Sequence, residues 1–80
     1  MRMPRSWTGE DLIRRLRKYG YEPTRQTGSH VRLTRDTENG HHHITIPLHN
    51  PLRVGTLNSI LGEVADHLGM DRQDLLQNLL

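Results

Sequence analysis

The stretch "HVRLTRDTENGHHHITIP" (residues 30–47) decides the fold. Val31 and Leu33 alternate with His30, Arg32 and Thr34, and Ile44 and Ile46 alternate with His43 and Thr45. Successive side chains of a strand point to opposite faces, so this alternation reads as two half-buried strands. The strands are expected over His30–Thr34 and His42–Ile46, with the turn-rich "DTENG" between them. The aliphatic set must face a core. His30, Arg32, His43 and Thr45 are then left together on the open face of one antiparallel sheet.

Upstream, Tyr21–Gln26 reads as a third strand, joined to His30 through Thr27-Gly28-Ser29. Before it, "WTGEDLIRRLRKYGY" (7–21) opens like a helix. Thr8 can be the N-cap with Asp11 three positions on, and Trp7 and Leu12 can form a hydrophobic staple. Leu12, Ile13, Leu16 and Tyr19 share one face, and Gly20 suits a left-handed helix end. Downstream, "PLHNPL" (47–52) must be a loop, because Pro47 and Pro51 have no N–H to give a central strand. "RVGTLNSILGEVADHLG" (53–69) is a second helix, packed through Leu57, Ile60, Leu61, Val64 and Leu68. Asp71 opens a third, with Leu75, Leu76, Leu79 and Leu80 in a stripe. A helix this short is expected to fray unless a partner chain covers it. The order is α-β-β-β-α plus a terminal helix. This is an α+β fold, expected to be a single domain over residues 1–80, with a three-stranded antiparallel sheet and its helices on one face.

Composition narrows the function. Eighty residues with no Phe give a small aliphatic core. There is no Cys, which removes thiolate and disulfide chemistry and suits a reducing cytoplasm. "MRMPRSW" lacks the apolar stretch of a secretory signal, and the apolar runs are too short to span a bilayer. A cytoplasmic protein is expected. The net charge of +2 conceals an asymmetry: residues 1–35 hold nine Arg and Lys against three acids, whereas later residues hold Arg53 and Arg72 against six. A basic half on a small domain suits a polyanion, nucleic acid first. The same charges on the first helix alone also fit a solvated face.

"RQTGSHVRL" (25–33) concentrates the chemistry. A site that handles phosphate and moves protons needs a group to take a proton, a group to give one and positive charge. An imidazole, with an ordinary pKa near 6.5, can move a proton at neutral pH. His30 can take one such role, and Arg25, Arg32 or Arg53 can supply charge. Ser29 can hydrogen-bond a phosphate oxygen, and Gly28 allows close backbone approach. His43 and His49 are candidates for a second proton-transfer group. The Gly55-Thr56 helix start can serve phosphate binding or plain capping. The run "HHH" (41–43) suggests a metal site, but alternation sends His42 to the face opposite His41 and His43. Zinc needs three or four convergent ligands, so neither metal nor cofactor is expected.

These residues also carry a resemblance. Gly28-Ser29-His30, "HHITIPLHNPL" (42–52), "VGTLNSIL" (54–61) and "DLIRRLRKYGYEPTRQ" (11–26) are similar, in order and spacing, to the HicA toxins of HicAB toxin–antitoxin pairs. The resemblance implies a fold like the double-stranded-RNA-binding domain. It implies an mRNA-cleaving activity that arrests translation, with His30 as catalytic residue. It also implies a HicB-like antitoxin that covers the site. Two other readings fit the bare residues: a non-catalytic RNA-binding module, and an interaction subunit whose sheet is only a docking surface.

Overall fold

The computed structural model describes residues 2–80. Its elements run α1 (Gly9–Leu16), a 3₁₀ turn (Arg17–Tyr19), β1 (Glu22–Thr27), β2 (His30–Thr37), β3 (Gly40–Pro47), α2 (Val54–Leu68) and α3 (Arg72–Leu79). The strands form one antiparallel sheet in the order β1-β2-β3. The fold is the α+β arrangement expected, with strand order and helix order as read.

The alternation puts the aliphatic residues where it must. Val31 faces Ile46 across the ladder and Leu33 faces Ile44. All four are buried, together with Leu12, Leu16, Leu57, Ile60, Leu61 and Val64 from the helices. The hairpin is longer than predicted. Thr37 pairs with Gly40, so only Glu38 and Asn39 turn, and most of "DTENG" is strand. Asp36 is a poor strand former by itself, yet its ladder position opposite His41 holds it extended. Thr37 Oγ1 tightens the bend by accepting from the Asn39 N–H at 3.2 Å. β1 is an edge strand with a bulge between Pro23 and Arg25, where proline has no N–H to give.

α1 begins as its sequence dictates. The Thr8 hydroxyl accepts from the Asp11 N–H, and the Asp11 carboxylate accepts from the Thr8 N–H at 2.9 Å. That backbone donor, and then Arg14, hold the Asp11 carboxyl below the usual range. Gly20 closes the 3₁₀ turn and Gly69 closes α2, both in the left-handed region where a Cβ is strained.

The terminal stripe closes the core. Leu75, Leu76 and Leu79 are buried, and only Leu80, 66% exposed, points away. α3 packs chiefly on α2, and side chains of α1 hold its C-terminal end. Arg15 lies 4.2 Å over the Trp7 ring and donates to the Leu79 carbonyl at 2.6 Å. Lys18 donates to the Asn78 carbonyl. Cations at a helix C-terminus meet both its unpaired carbonyls and its dipole. The short helix is therefore held, against the expectation that it frays alone.

On the core side of the sheet, His42 stacks on His67 with centroids 4.0 Å apart and planes 7° from parallel. Its Nδ1 lies 2.7 Å from the hydroxyl of fully buried Tyr21. Arg35 completes this edge, donating to the Tyr19 carbonyl at 2.7 Å and lying 3.2 Å from His67 Nε2. Burial raises the Tyr21 phenol to about 12. Burial first, then the neighbouring His67, lowers the pKa of His42. Among the described residues, no helix is long and apolar enough to cross a membrane.

Candidate functional site on the open sheet face

The Gly28-Ser29 turn joins β1 to β2 as a two-residue hairpin, with Thr27 opposite His30. Gly28 has φ +57, and a Cβ there would meet nothing within 4 Å. Its backbone angle therefore accounts for the glycine, by the rule for hairpins with positive φ at the first turn residue. The Ser29 carbonyl accepts from the Leu48 N–H at 2.7 Å. The loop after β3 is in turn tied to α1, since Gly9 donates to the His49 carbonyl at 2.9 Å and Leu52 donates to the Trp7 carbonyl at 2.7 Å. A Cβ on Gly9 would lie 2.1 Å from the Pro47 carbonyl oxygen. Gly9 thus sets how closely α1 seats the strand end that flanks His30. The sequence reading missed this residue; its one local signal was a glycine in a first helical turn, where alanine is the better helix former.

His30 is exposed on the open face, as alternation requires. Arg25 lies directly opposite Arg32 on the neighbouring strand, and Arg32 opposite Thr45. Arg25, Thr27, His30, Arg32 and Thr45 line one shallow depression of about 280 Å³. Along β2, His30 and Arg32 are two residues apart, about 6.6 Å. Like charges directly opposite in a sheet destabilise it. No carboxylate pairs with either arginine among the described residues, and the buried Arg32 Nε has no hydrogen-bond partner. Most other cations of the basic half have partners within the chain, while Arg2 and Arg5 are exposed near the N-terminus. Arg14 pairs with Asp11, Arg17 with Glu22, and Arg15, Lys18 and Arg35 bind backbone carbonyls. Arg25 and Arg32 are thus two unpaired cations side by side on the open sheet.

The remaining sequence candidates are more scattered. His43 shares the open face but stands opposite Thr34. That is four residues along β2 from His30, about 13 Å. His43 is therefore on the same surface and outside the depression. His49 is exposed, in the loop whose Leu48 bonds to Ser29. Arg53 is the N-cap residue of α2, exposed and not among the residues that line the depression. α2 starts at Val54, and no side chain caps it. Gly55 and Thr56 instead line a groove with His43 and Thr45 at the free edge of β3. The histidine run splits as alternation predicts, with His42 half-buried and His41 and His43 exposed. Among the described residues, no three His, Cys, Asp or Glu side chains converge as metal ligands.

Fold and site together define a small α+β protein with a histidine and two unpaired arginines on an open sheet face. The model of the family described as HicA toxin of bacterial toxin–antitoxin systems matches residues 9–66, from the start of α1 to the last turn of α2. The chain belongs to that family, and is the toxin of a toxin–antitoxin pair with an antitoxin partner. No curated protein and no solved structure matches the chain.

Proposed function

We propose that this toxin is an endoribonuclease that cleaves mRNA on the open sheet face and so arrests translation in the cytoplasm. The observation that carries the reading is the arginine pair beside His30. Arg25 and Arg32 are held opposite each other with no acid between them, next to an exposed imidazole. A fold does not gain from that arrangement, and a phosphodiester does.

In this reading the phosphate sits over Arg25 and Arg32, with Ser29 and the Gly28 backbone at its margin. His30 takes or gives the proton. If it acts as base, it removes the proton from the attacking hydroxyl as the new P–O bond forms. If it acts as acid, it protonates the oxygen that leaves as the old P–O bond breaks. His43 contacts the RNA, and Arg53 a phosphate, further along the strand. The chemistry uses protein groups alone and needs no metal. Residues 1–80 act as one unit, and a HicB-like antitoxin silences it by bringing acidic groups onto the sheet and occluding His30.

The test is His30→Ala. Its side chain is exposed, so the fold should be kept to within about 0.5 kcal/mol. RNA cleavage and growth arrest should disappear, and the parent should cleave with chelator present. A folded His30→Ala protein that remains fully toxic overturns the assignment.

A further inference from the structure

We propose that His41 and His43 form a base-stacking subsite, so that the ligand of this face is an extended single-stranded RNA reaching well beyond His30. The proposal rests on the ribonuclease reading above for the placement of the scissile phosphate.

The two imidazoles are on the open face of β3, with centroids 6.1 Å apart and planes 28° from parallel. Period-2 spacing alone brings the rings near each other. Their orientation comes from two anchors. His43 Nδ1 is 2.9 Å from Thr34 Oγ1, which is itself 2.7 Å from Thr24 Oγ1. His41 Nδ1 is 2.5 Å from Asp36 Oδ1. That contact engages His41 Nδ1 with the Asp36 carboxyl. Both Nδ1 atoms are occupied, and each ring offers its Nε2 edge and its π face.

Exposed side chains lose rotamer freedom when they are fixed in this way, and surface ion pairs return little stability. The network therefore has small value for the fold. It has direct value for a nucleobase, since bases in single strands stack on aromatic and histidine rings and are read along their edges. The position suits this. From His30 the open face runs past Arg32 and Thr45 to Thr34 and His43, then to Asp36 and His41. The subsite begins about 13 Å from His30 and ends about 20 Å away. A strand whose phosphate is held by the arginines would present a base there several nucleotides along. A duplex keeps its bases stacked inside and cannot use it.

The experiment measures binding of fluorescent single-stranded RNAs of increasing length in a His30→Ala background, so that the RNA survives. Affinity should rise with length until the strand spans the face. His41→Ala with His43→Ala should cut the long-to-short affinity ratio about tenfold or more, the worth of one stacked base. His41→Phe should keep that ratio, because the ring face remains. A ratio unchanged in the double alanine variant overturns the subsite, and so does an equal loss at all lengths. If no RNA of any length binds, the ribonuclease reading itself fails, and the subsite fails with it.

Discussion

Leu76→Ala tests whether the last helix belongs to the domain. Leu76 is 1% exposed, and it packs with Leu75 and Leu79 in the same core as Leu12 and Leu16. Truncating a fully buried leucine costs about 2–5 kcal/mol, the transfer term plus the cavity. Eighty residues support roughly 4–12 kcal/mol in total. The change therefore removes a large share of the stability, and the melting midpoint should fall by about 10–30 °C. Leu80→Ala is the matched control, since that side chain is 66% exposed and should shift the midpoint little. Circular dichroism melts of the isolated toxin give both numbers. If the two variants melt together, α3 is not part of the core in solution. The stripe would then be free for a partner, and the Arg15 and Lys18 caps would have no bearing on stability.

Gly9→Ala should destabilise by about 1–3 kcal/mol, because the new Cβ collides with backbone at Pro47 and Leu48; an unchanged urea midpoint refutes the close approach. In RNA binding, Arg25→Gln and Arg32→Gln should each flatten the log-affinity against log-salt slope by about 0.7. Arg14→Gln and Arg17→Gln should leave it unchanged, and the opposite ranking would move the interface to α1. His49→Ala should reduce cleavage more than His43→Ala, since its loop is bonded to Ser29 and His43 is about 13 Å along the strand from His30; single-turnover rates decide. Stability should also depend on pH at both ends. His42 titrates lower when folded than its ordinary 6.5, so the unfolded chain takes up the proton first. Its contribution is complete above about pH 6.5 and is lost as pH falls through the folded value. Tyr21 is the reverse case: raised from 10 to about 12, it contributes fully below pH 10 and is lost as pH rises toward 12. Urea midpoints that stay flat from neutral to about pH 5 would contradict the His42 argument.

Local chemistry was enough for much of this. The Thr8–Asp11 box, the left-handed Gly20 and Gly69, and the two-faced strands are properties of neighbouring residues. Each reads directly, because capping, φ and alternation act over one to four positions. The open-face grouping of His30 and Arg32 with His43 and Thr45 was legible for the same reason. The sequence could not weigh its own positive charges. Which arginines remain free was decided by partners distant in the chain, such as Leu79 for Arg15 and Tyr19 for Arg35. Nor could it give distances along the face, since the offset between His30 and His43 depends on where the hairpin turns, and ladder pairing moved that turn to Glu38 and Asn39. The fate of the leucine stripe was likewise tertiary. An apolar face specifies that it must be covered, and only the packing of α3 on α2, with α1 holding its end, shows that the chain covers it itself.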